Sequence, residues 1–133
     1  MREPIWVYAS VVRAIHGRQI AEHGGSPGIR DAGLVESALA HPRHVWQYEN
    51  GASVPRLAAA YAYALTSDHP FTDGNKRVAL VVLLLFLDLD GWQLEVPEEE
   101  LYVHMLELAA GNISEARLAS WLEDRCRVCD RGS

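Results

Sequence analysis

His69-Pro-Phe-Thr-Asp-Gly-Asn-Lys-Arg77, followed at once by Val78-Ala-Leu-Val-Val-Leu-Leu-Leu-Phe-Leu87, is the stretch on which the reading of this chain turns. Its first part holds six polar or charged side chains and one glycine, set between two apolar runs. Upstream lies the alanine-rich Leu57 to Leu65; downstream lie ten unbroken apolar residues, Val78 to Leu87. A bilayer span takes ~20 such residues, so the downstream run reads as a helix buried on all sides. Asp73-Gly74 is a turn signal, which places Gly74, Asn75, Lys76 and Arg77 in the first turn of that helix.

The first N–H groups of a helix lack partners within it, and the helix dipole adds partial positive charge there. Such an end suits an anion, phosphate above all. Gly74 has no Cβ, so a ligand can come close to the backbone. Lys76 adds a point charge and Arg77 a planar fork for phosphate oxygens. Lys76 is also the one lysine beside eleven arginines. Asp73, just before the turn, is placed to ligate Mg²⁺, which often takes only one or two protein carboxylates beside substrate phosphates. His69 titrates near neutrality and is the natural base for a hydroxyl or water nucleophile. Base, metal ligand and phosphate cradle together are the parts for phosphoryl or nucleotidyl transfer. Each residue alone also has a plain structural reading: Asp73 as an N-cap, Lys76 and Arg77 as solvated charges, His69 as a core imidazole bonded to a carbonyl. The common P-loop is excluded, since no Gly-x4-Gly-Lys-[Ser/Thr] occurs.

Working outward, the chain breaks into helical-period segments joined by short breakers. Ile5 to His23 reads as a first helix ended by Gly24-Gly25. Gly24 to Asp31 is a tight loop, with Asp31 capping a helix near Ala32 to Ala40 that His41-Pro42 stops. His41 to Pro55 reads as a polar loop, and Val54 to Asp68 as a helix whose small residues allow close approach. Asn75 to Leu89 follows, then a short extended piece from Trp92. Pro97 opens a helix to about Ala110, with Glu98, Glu99 and Glu100 in the first turn, where the dipole favours them. Ser114 caps a last helix to about Arg125. The fold class is therefore all-α, a compact bundle of about six helices.

At 133 residues and 49% hydrophobic composition the chain is long enough for one domain with a real core, expected over 1–125. The tail, 126–133, reads as flexible. A net charge of −6 argues against nonspecific nucleic-acid binding. With no long apolar segment behind Met1-Arg2-Glu3-Pro4, the expected location is cytoplasmic, with no membrane partner. Cys126 and Cys129 make half of a zinc pattern without a second half, and read as reduced thiols. His16 and His23 lie seven apart on one helix face, without further ligands to make a metal site.

The central motif resembles the signature of the Fic/Doc family, His-x-Phe-x-x-[Gly/Ala]-Asn-x-Arg, here His69, Phe71, Gly74, Asn75 and Arg77. Asp73-Gly74-Asn75-Lys76-Arg77 is similar to the Doc branch in particular. The adenylylating branch usually has Gly at the place of Lys76 and a further Arg where Leu80 stands. A second stretch also looks like the N-terminal part of Doc-type proteins: Gly24-Gly25-x-x-Gly28-Ile29-Arg30-Asp31, then Glu36 to Leu39 and Pro42. The resemblance implies the Fic topology and a toxin that acts as an ATP- and Mg²⁺-dependent protein kinase. Its target would be a threonine of translation elongation factor Tu, and the outcome growth arrest. His69 would be the catalytic base, Asp73 the Mg²⁺ ligand, Gly74, Asn75, Lys76 and Arg77 the phosphate-binding set, and Phe71 the anchor of the loop. Arg30 is a further candidate for phosphate contact, against a structural salt bridge, and the 41–55 loop for a target-positioning flap. Inhibition would come from a cognate antitoxin in trans, because the self-inhibitory [Ser/Thr]-x-x-x-Glu-[Gly/Asn] is not found. The alternatives are a protein adenylyltransferase and a catalytically silent antitoxin-binding module.

Overall fold

A computed structural model describes residues 2–129. Among them six helices run as α1 Ala9–His23, α2 Ala32–Tyr48, α3 Val54–Asp68, α4 Asn75–Leu89, α5 Glu98–Ala109 and α6 Glu115–Arg125. Two three-residue strands, β1 Trp92–Leu94 and β2 Cys126–Val128, pair antiparallel. The all-α bundle expected from the sequence is what forms.

The core is built around α3. Leu57 to Ala62 are all fully buried, and their four small side chains let α2, α4 and α6 close in on one helix. Ser53 caps α3 by accepting the Arg56 N–H, and Pro55 sits in its first turn, where its missing N–H costs nothing. Next to α3, α4 carries Val78, Val82, Leu83 and Phe86 into the same core. It is not buried on all sides, however. Val81, Leu84 and Leu85 form a half-buried stripe and Leu89 is exposed, because α5 covers only part of that face.

Three further expectations differ from the structure, and tertiary contacts explain each. The first helix begins at Ala9, not Ile5. Ile5 N–H donates to Asp90 Oδ1 at 2.7 Å and Val7 N–H to the buried Tyr61 hydroxyl at 2.9 Å. Two backbone donors of this segment thus go to side chains far along the chain rather than to a helix, and Trp6 stacks on Phe86. Pro42 does not stop α2, which continues to Tyr48. A proline inside a helix costs about 3 kcal/mol or more. Here the buried Pro42 ring and Val45, with the half-buried Trp46 beside the core, offset that loss. The polar loop expected over 41–55 accordingly shrinks to residues 49–53.

The first residues of the tail pair with β1. Leu94 pairs with Cys126 and Trp92 with Val128, and the Cys129 N–H donates to Gly91 O at 2.7 Å. Residues 130–133 of the tail lie outside the described residues. Where the sequence suggested caps, Asp31 accepts from Gly33 N–H and Ser114 from Arg117 N–H.

Candidate active site

The loop between α3 and α4 is shaped by backbone contacts before any side chain enters the cleft. His69 ends α3 in the left-handed region, φ 49°, ψ 58°, and is the one non-glycine with positive φ among the described residues. Such a conformation persists only where the surroundings fix it. They do: Arg30 Nε donates to His69 O and Arg30 Nη2 to Asp68 O, both at 2.7 Å. Arg30 is in no ion pair among the described residues; two of its nitrogens close the carbonyl end of α3. The glycine-rich loop then runs beside the motif. Thr72 N–H donates to Gly28 O, Arg30 N–H to Pro70 O, and Ile29 bridges Phe71.

Phe71 is buried, as an anchor of the loop would be. Asn75 holds it twice, accepting from Phe71 N–H at 3.1 Å and donating to Phe71 O at 2.9 Å. The Asn75 side chain is thus committed to the loop, and only its backbone N–H remains for a ligand. Gly74 caps α4 in the left-handed region, φ 86°, ψ 9°, without any side-chain cap. The first helical bond is Val78 N–H to Gly74 O at 2.9 Å, so the N–H groups of Asn75, Lys76 and Arg77 have no helical acceptor. The N-cap reading of Asp73 fails here, since its carboxylate turns the other way: Oδ2 accepts from Ser26 N–H at 2.8 Å. The close approach this needs explains Gly25, where a Cβ would stand 3.2 Å from that of Asp73.

His69, Asp73, Gly74, Asn75, Lys76 and Arg77 all line one open cavity of about 460 Å³, closed on one side by Gln19, Ile20 and His23 of α1 and on another by Tyr102 of α5. Both His69 and Asp73 are exposed. Lys76 and Arg77 are half-buried and form no ion pair among the described residues. The Arg77 guanidinium lies over the Tyr102 ring, 4.8 Å from its centroid. Arg77 and Tyr102 also border a second groove, of about 630 Å³, with Leu80, Val81 and Val103 in its lining and Glu22, Glu98 and Glu99 at its edge.

Two residues beside this site were given no part in it from the sequence. Tyr102 stands far along the chain from the motif, and only the fold brings it there. His16 did leave a signal: it interrupts the core-facing stripe of α1 one turn after Val12. It is buried, stacks on Phe71 at 3.9 Å, and its Nε2 lies 3.0 Å from Asp73 O. The core imidazole bonded to a carbonyl, considered for His69, is His16.

A family model described as the Fic/DOC family matches residues 6–87, which span α1 to nearly all of α4. The chain belongs to the Fic/DOC family. It is 34% identical over 109 residues to "Protein kinase doc" of Escherichia phage P1, covering 82% of this chain and 86% of that one. It is 38% identical over 74 residues to "Toxin Doc" of Mycolicibacterium smegmatis (strain ATCC 700084 / mc(2)155), covering 53% of this chain and 55% of that one. The Fic/DOC match takes in every motif residue of the cleft and leaves out only the α5 wall with Tyr102. No helix among the described residues is long and apolar enough to cross a membrane.

Proposed function

We propose that this Fic/DOC chain is a Doc-type toxin that transfers the γ-phosphoryl group of ATP to a hydroxyl on a target protein, by resemblance a threonine of elongation factor Tu. The observation that carries the reading is one cavity shared by an unpartnered helix tip, two cations without carboxylate partners, an exposed imidazole and an exposed carboxylate. The free N–H groups at the start of α4, with Lys76 and Arg77, bind the phosphate oxygens and gather the charge that develops on them. His69 accepts the proton of the target hydroxyl as its oxygen attacks the γ-phosphorus and the bond to the leaving ADP oxygen breaks. The clamp of Arg30 on His69 O keeps the imidazole at the cavity edge.

Asp73 is the residue that would hold Mg²⁺. Its Oδ2 is engaged with Ser26, and no polar partner of its other oxygen is found among the described residues. No cluster of three or more His, Cys, Asp or Glu side chains exists there. That fits an ion held by one carboxylate and completed by substrate phosphates, not a dedicated protein cage. Bound there, Mg²⁺ would supply charge neutralisation at the phosphates.

The partner that restrains the chain is proposed to be an antitoxin segment that folds on binding. The apolar groove of Leu80, Val81 and Val103 beside the motif suits one face of a helix.

The test is incubation with γ-labelled ATP, Mg²⁺ and a bacterial lysate, repeated with purified elongation factor Tu. One dominant labelled protein is expected, lost with His69→Ala and with Asp73→Ala. Label that survives both substitutions refutes the assigned roles. Intact-mass analysis separates chemistries: a phosphate adduct supports the kinase, an AMP adduct replaces it with adenylyl transfer. Growth arrest that persists in His69→Ala, with the antitoxin still bound, would leave only a silent binding module.

A further inference from the structure

We propose that His16 is a positioning residue that holds the Asp73–Gly74 peptide in one of two orientations, keeping N–H groups rather than a carbonyl oxygen at the mouth of α4. Gly74, at φ 86° and ψ 9°, has the dihedrals of the third residue of a type II turn. The type I turn would give that residue a φ near −90° and differs by turning over the peptide between the second and third residues. Glycine accepts both signs of φ, so Gly74 alone does not choose between them.

The choice is made from α1. A carbonyl oxygen only accepts, so the 3.0 Å contact between His16 Nε2 and Asp73 O requires the proton on Nε2. The imidazole cannot follow the carbonyl if the peptide turns over. It is 4% exposed, and its ring lies nearly parallel to Phe71, 9° between planes. Phe71 is itself fixed by both bonds to Asn75. A turned peptide would strand a buried N–H donor, a penalty that biases the equilibrium about tenfold or more.

In a planar trans peptide the C=O and N–H point in opposite directions. With Asp73 O drawn back to His16, the Gly74 N–H points away from that buried contact. No acceptor for it is found among the described residues. It therefore joins the N–H groups of Asn75, Lys76 and Arg77. Turned over, the same peptide would set a carbonyl oxygen against the phosphates. The Asn75 pair holds the loop; the His16 bond decides which atom of the loop faces the ligand.

This inference rests on the phosphate-site reading for its consequence but not for its geometry, and the experiment separates the two. In ligand-free, isotope-labelled protein the contact between the Asp73 Hα and the Gly74 amide proton is strong in a type II turn and weak in type I. It is expected to be strong in the wild type, weakened in His16→Phe and His16→Leu, and restored in His16→Gln, whose amide puts a donor near the Nε2 position. Affinity for inorganic tripolyphosphate is expected to fall about tenfold in His16→Phe and return to within about threefold in His16→Gln. Melting curves identify the variants that fold. A folded His16→Phe with an unchanged amide contact overturns the proposal. So does wild-type imidazole nitrogen spectroscopy placing the proton on Nδ1 alone, which needs no variant. A wild type that takes up no tripolyphosphate sinks the phosphate-site reading, while the amide contact still judges the grip of His16.

Discussion

Two polar clusters in this molecule use similar residues to opposite ends. In one, Arg56 on α3 is enclosed by carboxylates. It donates through Nε and Nη2 to Glu49 at 3.0 and 2.7 Å and through Nη1 to Glu115 at 2.7 Å, while His41 of α2 bonds both Glu115 oxygens. Every member has a partner, and the cluster ties α2, α3 and α6 together. In the other, Lys76 and Arg77 stand at a helix tip and form no ion pair among the described residues. The same kinds of charge are thus spent on architecture in the first cluster and held in reserve in the second. Substitutions in the cleft should change chemistry with little change in stability, and substitutions in the closed cluster the reverse.

The largest effect is expected at His69. Asparagine tolerates the left-handed backbone but is no base, so His69→Asn should lower the transfer rate by about 10²–10⁴-fold at nearly unchanged melting temperature. A rate within tenfold of wild type would falsify the base assignment. Next comes Lys76→Gln, which removes a charge with no internal partner. Nucleotide affinity is expected to fall about ten- to a hundredfold in calorimetry, again with no loss of stability. A large drop in melting temperature with intact affinity would mean that Lys76 belongs to the first kind of cluster after all.

Glu115→Ala is the mirror experiment. Its side chain is 15% exposed and that of Arg56 20%, so truncation leaves a largely buried guanidinium with less compensation. The expected cost is about 2–3 kcal/mol, with transfer per folded molecule unchanged. The acid limb of the stability curve gives a second view. Burial works against ionising Glu115, but the hydrogen bonds and charges of His41 and Arg56 outweigh it and hold its pKa below the ordinary glutamate value of 4.5. The unfolded chain therefore takes up this proton at a higher pH than the folded one. Stability from Glu115 is present above pH 4.5 and drains away as pH falls through the depressed folded value. In Glu115→Gln that portion of the acid loss should disappear; an identical acid limb in both proteins would show that the cluster is not what titrates.

The comparison also explains how far the sequence could be read. Helices α3 and α4 were legible to the residue, since Pro55, Gly74 and the apolar runs act locally. The candidate site residues between them line one cavity, and they lie within nine residues of each other. What escaped depends on residues far apart. The Tyr61 hydroxyl holds residue 7 out of α1, core packing carries α2 through Pro42, and His16 reaches Asp73 across 57 positions. The closed cluster is of the same kind: nothing near Arg56 in the sequence announces Glu115. Arg30 shows the limit most plainly. Its loop does run beside the motif, but only the fold shows two of its nitrogens bonding to the carbonyls that end α3.

The smallest effect concerns the two thiols, which look like chemistry and sit in neither cluster. Cys126 lies in β2 opposite Leu94, and burial pushes its thiol up to about 11. Cys129 follows three steps along an extended stretch, about 10 Å away, beyond the roughly 7 Å between Cα atoms that a disulfide can bridge. The thiolate is the reactive form, so Cys126 should lag in a disulfide-exchange assay at pH 8. In Cys129→Ser the fast phase should vanish and only slow labelling remain, with transfer activity untouched. Mild oxidation should give no internal disulfide while the strand pair holds. Fast labelling of Cys126 in the folded protein, or a Cys126–Cys129 bond formed without melting β2, would mean that this strand opens and that a third region of the molecule holds groups in reserve.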